Sequence, residues 1–199
     1  MITPTRGRPA ATDTNRIMRG PPPCVTPQVK EWYAEQLFVT CCHEAGHAVV
    51  AHRMGCSEIV IHITSTLAET SARGGAGVQV ATHGSTQSIY DLNDHFGAMV
   101  VTFGGPLAEP GPGTSPLRYP TDPPGGKATG TDLVKIKAYR RSHGSAETRR
   151  AESLARTLLR QEHEVVGAIA TELFGRGAWL GSRYLDVSAL LGANSDSPT

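Results

Sequence analysis

Long apolar runs are missing from this chain: Ala98-Met99-Val100-Val101 is typical of the longest, and a membrane-spanning helix needs roughly 18 such residues. No span is expected. Charge of one sign is missing too, because 19 Lys+Arg against 18 Asp+Glu leaves a formal net charge of +1. That balance gives no global signal for nucleic acid. The 4 cysteines, Cys24, Cys41, Cys42 and Cys56, make no C-x-x-C pair, and two are adjacent. This argues against a disulfide framework and for buried reduced thiols. No apolar h-region lies among the arginines and prolines near residue 1, so a secretory leader is not expected there and cytoplasm is the default location. The phosphate loop G-x-x-x-x-G-K-[ST] is also absent, since Gly126-Lys127 is followed by Ala128 and lacks the earlier glycine.

What is there suits one domain: 199 residues, 39% hydrophobic, enough for a sizeable core. Residues 1–25 carry Arg6, Arg8, Arg16 and Arg19 against Asp13 alone, with frequent proline, and read as a disordered tail. The domain is expected over 26–192, with a flexible tail at 193–199. Thr26-Pro27 offers a helix start and Gly55 a stop. Ile59–Thr64 and Gly77–Thr82 read as strands joined by a long polar turn. Ile89, Leu92, Phe96, Met99, Val100 and Phe103 recur at helical spacing and stop at Gly104-Gly105. Residues 104–130 are dense in glycine and proline and read as an irregular loop. A helix is expected to resume at Asp132, another to run from Ser145 to Phe174, and a short one from Leu185 to Leu191. The fold class is mainly α with a small β-sheet, α+β.

Within the first helix stands His43-Glu44-Ala45-Gly46-His47. Histidines four apart on a helix share a face, with Cβ atoms roughly 5–6 Å apart, and so converge on one Zn²⁺. Glu44 then lies beside the metal, where a carboxylate takes a proton from water and returns it to a leaving amine. The bland alternative is a partly buried helix with two hydrogen-bonded histidines. A catalytic zinc takes three protein ligands, and no histidine follows His47 at the metzincin spacing. His52, His62, His83, His95, His143 and His163 have no partners at ligand spacing and read as ordinary polar or core residues.

Three separated motifs, His43-Glu44-Ala45-Gly46-His47-Ala48, Gly104-Gly105-Pro106-Leu107-Ala108-Glu109 and Thr129-Gly130-Thr131-Asp132-Leu133, resemble in type and order the peptidase domain of the FtsH-type ATP-dependent zinc metallopeptidases. The resemblance spans roughly residues 28–192. It implies a helical, zincin-like peptidase domain with His43, His47 and Asp132 as zinc ligands, Glu44 as general base, and Glu109 as a carboxylate buttressing a ligand histidine. It also implies assembly into six-membered rings. Family members carry membrane spans and an ATPase module, and the absence of a phosphate loop here means that this chain cannot unfold substrates by itself. The bland alternatives are that Asp132 is an acid favoured by a helix dipole and Glu109 a solvated loop carboxylate.

The function expected is a zinc-dependent metalloendopeptidase acting on unfolded or flexible polypeptide, alone or fed by a separate ATPase, with the Val78–Thr82 strand pairing with extended substrate. The alternative is a non-catalytic zinc-binding adaptor or regulatory domain of the same fold. Lys135, Lys137, Arg140, Arg141, Arg149, Arg150, Arg156 and Arg160 face only Glu147 and Glu152 over 135–160. That run reads as a solvated helix face, and less readily as a surface for nucleic acid or an acidic partner.

Overall fold

The computed structural model describes residues 27–72, 75–89, 94–110, 130–176 and 180–193. Helix α1 (Pro27–Arg53) is followed by strands β1 (Ser57–Ala72) and β2 (Gly75–Ile89), helices α2 (His95–Ala108), α3 (Gly130–Gln161) and α4 (His163–Gly175), strand β3 (Gly181–Asp186) and helix α5 (Ser188–Ala193). The fold is mainly helical with a small antiparallel sheet in the order β2-β1-β3. Among the described residues, no helix is long and apolar enough to cross a membrane.

Helix α1 is the axis of the molecule, packed by α2, α4, β1 and β2. From Tyr33 to Ala51 it buries side chains on nearly every side, including Phe38, Cys41, Cys42, Ala45, Val49 and Val50, as a helix surrounded by other elements must. Its C-terminus closes on Gly55 at φ 86°, with Cys56 N–H donating to the Ala51 carbonyl (3.0 Å) and Gly55 N–H to that of His52 (2.9 Å). This left-handed Schellman stop is easily reached by glycine, and it turns the chain into β1. Alternate residues Ile59, Ile61 and Ile63 of β1 then point into the core. Phe38 of α1 meets Phe174 of α4 edge to face, centroids 5.7 Å apart, the favoured geometry for two aromatic quadrupoles. Cys41, Cys42 and Cys56 are buried and lie outside any disulfide. Burial pushes the Cys41 thiol up to about 12 and raises that of Cys42 as well.

Several boundaries differ from the sequence expectations. The two strands pair continuously from Ile61↔Thr86 to Ala72↔Gly75, so the supposed polar turn is itself strand. Its Thr and Ser residues complete an antiparallel ladder that hydropathy alone does not mark. Helix α2 begins later, at His95, because the Asp94 carboxylate accepts from Gly97 N–H at 2.8 Å and caps it. Ile89 belongs to β2. The helix also runs through Gly104-Gly105 and Pro106 to Ala108, so the expected loop over 104–130 starts at Glu109. Helix α3 begins at Gly130 and breaks at Gly144, φ 84°. It ends at Gln161, before α4 starts at His163, so Ser145–Phe174 is two helices. Leu185 lies in β3, paired with Ile61, and only Ser188–Ala193 is helical. The tail over 1–25, most of that over 193–199, and residues 111–129 of the loop lie outside the described residues.

Candidate metal centre

His43 and His47 stand one turn apart on α1, their rings 4.7 Å apart and nearly perpendicular. Asp132, in the first turn of α3, meets them from across the cleft. Its Oδ2 lies 3.0 Å from His43 Nε2 and 3.3 Å from His47 Nε2, and the two Nε2 atoms are 3.0 Å apart. Tetrahedral Zn²⁺ with bonds of about 2.0–2.1 Å holds its ligand atoms roughly 3.3 Å from one another. The observed triangle is close to one face of such a tetrahedron. Among the described residues, this trio is the one group of three or more His, Cys, Asp or Glu that could hold a metal ion.

The remaining ring nitrogens fix which atoms are free to bind. His43 Nδ1 is 2.7 Å from Glu109 Oε1, just past the end of α2. His47 Nδ1 is 2.8 Å from the Val101 carbonyl and 3.2 Å from Gly105 N. One nitrogen cannot donate and accept at once, and the shorter contact assigns Nδ1–H donating to Val101. With both Nδ1 atoms donating, both neutral rings turn a lone pair at Nε2 toward the Asp132 carboxylate. Three electron-rich atoms in one small triangle need a cation or a proton between them. The titration behaviour follows. Burial alone would lower the His43 pKa, but hydrogen bonds to Asp132 and Glu109 and the charge of Glu44 lift it to about 9. Burial works against the Asp132 carboxylate, yet its hydrogen bonds to His43 and His47 hold its pKa far below the usual carboxylate range.

Glycine makes this approach of α1 and α2 possible. A Cβ on Gly46 would lie 2.4 Å from both the Gly104 carbonyl oxygen and Ala108 Cβ, and one on Gly104 would lie 2.7 Å from the Gly46 oxygen. A Cβ on Gly105 would lie 2.4 Å from His47 Nε2 and 2.6 Å from His43 Nε2, in the space the ligand atoms face. Glu44 is 4% exposed. It borders, with His43, His47 and Asp132, a cavity of about 790 Å³ that Gly84–Gln87 of β2 also line.

All five residues singled out in the sequence, His43, Glu44, His47, Glu109 and Asp132, therefore line one cavity. Among the other histidines whose side chains are described, none lines it. His95 and His143 face each other at 6.0 Å, with His143 stacked on Tyr139, while the His83 side chain is outside the described residues. The basic run is divided by the break at Gly144, and within it Arg150 pairs with Glu147, Arg156 with Glu152, and Arg150 also covers the Phe96 ring at 4.9 Å. Sequence reasoning missed Thr86, whose hydroxyl is 2.6 Å from Glu44 Oε2, and the Val101 carbonyl. A backbone carbonyl has no sequence signature, and Gly84 and Thr86 lie beyond the strand expected over Gly77–Thr82, so neither was marked. Compared with known proteins, the chain matches no family model, no curated protein and no solved structure.

Proposed function

We propose that this chain is a zinc-dependent metalloendopeptidase built on an FtsH-like, zincin-type peptidase fold. The observation that carries the reading is the near-tetrahedral face formed by His43 Nε2, His47 Nε2 and Asp132 Oδ2 beside the buried carboxylate of Glu44. A two-imidazole, one-carboxylate set suits Zn²⁺, which when bound supplies Lewis-acid polarisation of a scissile carbonyl and acidifies water to near neutral pH. Glu109 and the Val101 carbonyl hold the rings in the tautomer that presents Nε2. Glu44 takes the proton of the attacking water and passes it to the leaving amine. A site that served structure alone would need no such carboxylate beside an open cavity, and this favours an enzyme over the adaptor reading.

Strand β2 lies at one edge of the sheet, with β1 as its neighbour. An extended polypeptide can add to it as a further strand, and main-chain hydrogen bonds then tolerate varied sequences. Among the residues of β2 whose side chains are described, Gly84–Gln87 reach the cavity, and the side chains of the Val78–Thr82 stretch expected from sequence lie outside the described residues. Substrate would be flexible or already unfolded polypeptide, presented alone or by a separate ATPase. The test is cleavage of casein by the zinc-loaded protein, with a chelator control. Glu44→Gln is expected to lower turnover by at least about 100-fold while keeping its zinc. Turnover by this variant equal to that of the unmutated protein would remove the mechanism.

A further inference from the structure

Glu44 is held by strand β2. Thr86 Oγ1 lies 2.6 Å from Glu44 Oε2 and 3.1 Å from the Glu44 main-chain oxygen. Its single hydroxyl proton goes to the nearer, charged acceptor. Two residues back on the same face of the strand, Gly84 approaches so closely that a Cβ there would lie 2.4 Å from Glu44 Oε1. Burial alternates accordingly: Gly84 and Thr86 are half-buried toward α1, while Ser85 and Gln87 are exposed. One carboxylate oxygen is hydrogen-bonded and the other confined, by a single strand. A glutamate side chain otherwise loses rotamer entropy on being fixed, and a displacement of about 1 Å in a reacting group costs on the order of 100-fold in rate.

We propose that Thr86 is the positioning residue for Glu44, fixing the carboxylate where it meets the attacking water, with Gly84 leaving the space this requires. The inference rests on the reading of Glu44 as general base. It also gives β2 two tasks at once, since the strand that orients the base is the edge offered to substrate.

The test uses the full zinc-loaded chain carrying Thr86→Val or Thr86→Ser. Thr86→Val is expected to lower kcat about 10- to 100-fold, with KM within about twofold of that of the unmutated protein and zinc content unchanged. Thr86→Ser, which keeps the hydroxyl, should return kcat to within about threefold. In a Glu44→Gln background Thr86→Val should add no further loss, as expected for residues acting as a unit. A second readout is calorimetric binding of acetohydroxamate, whose polar hydrogens meet Glu44 when its oxygens take the metal. Affinity should fall about 10-fold in Thr86→Val and not in Thr86→Ser. Undiminished kcat and hydroxamate affinity in Thr86→Val would overturn the assignment, as would equal losses in Thr86→Ser or additive losses with Glu44→Gln. If the unmutated protein binds hydroxamate but cleaves no peptide, the peptidase reading fails and the hydroxamate series alone judges Thr86. If it does neither, both fall.

Discussion

Helix α1 makes two contacts of opposite material. Toward α4 it offers bulk: Phe38 packs on Phe174, and Val166, Ile169, Ala170 and Leu173 are buried there. Toward α2 the crossing itself is bare, because Gly46 and Gly104 bring backbone against backbone and Gly105 leaves room for the His43 and His47 rings. The difference teaches where the helix gets its stability and where it gets its chemistry. Large side chains contribute burial, about 25 cal/mol per Å² of apolar surface. Removing side chains contributes proximity, which lets a carbonyl of α2 and a carboxylate at its end reach the histidines of α1.

The sharpest way to break this division is to exchange the effects. Phe38→Ala on the bulky contact should destabilise the protein by roughly 3–5 kcal/mol, read as a lower urea midpoint. Zinc affinity of the molecules that remain folded should hardly change. Gly105→Ala on the bare contact should do the reverse. Its added methyl enters the space between the ligand nitrogens, so zinc affinity should drop by about 100-fold or more, with the thermal midpoint of the metal-free protein much less affected. If Gly105→Ala binds zinc normally, α1 and α2 do not owe their metal geometry to glycine. A milder probe is Glu109→Gln, which keeps shape and removes charge. A loss of zinc affinity of about 10-fold is expected, measured by competition with a chromogenic chelator.

The same division decides what could be read from the sequence. His43, Glu44 and His47 were legible because helical periodicity alone fixes their mutual placement. Asp132 and Glu109 were legible only through motif order, since the contact of α3 with α1 joins residues far apart in the chain, which no local pattern encodes. Gly46 carries no local signal, because its role depends on Gly104 lying opposite it on α2. The sheet was half legible: the Ile59–Ile63 alternation marks β1, but β3 holds Ser182, Arg183 and Tyr184, a polar run that becomes strand by pairing with His62, Ile63 and Thr64. Tertiary pairing, not propensity, made that strand. Helix α2 outran its expected end because Gly104 and Gly105 serve the crossing with α1 instead of stopping the helix.

The smallest expected effect concerns protons, and it sharpens the comparison at the chemical flank alone. In the metal-free protein the His43 pKa is raised from 6.5 to about 9. A raised value means that the proton stabilises the folded state, a contribution fully present below about 6.5 and lost as pH rises through 9. The thermal midpoint of the metal-free protein should therefore fall between pH 6.5 and 9. Bound zinc would occupy the lone pair that this proton takes, so loading at pH 7.5 should release close to one proton. Calorimetry in buffers of different ionisation enthalpy measures that number directly, and the zinc-loaded protein should lose the downward slope of midpoint with pH. Asp132, already ionised at every pH in this window, contributes no proton of its own. Release of no protons would mean that His43 binds zinc from a neutral ring, and that the Glu109 and Asp132 carboxylates do not hold the proton their geometry invites.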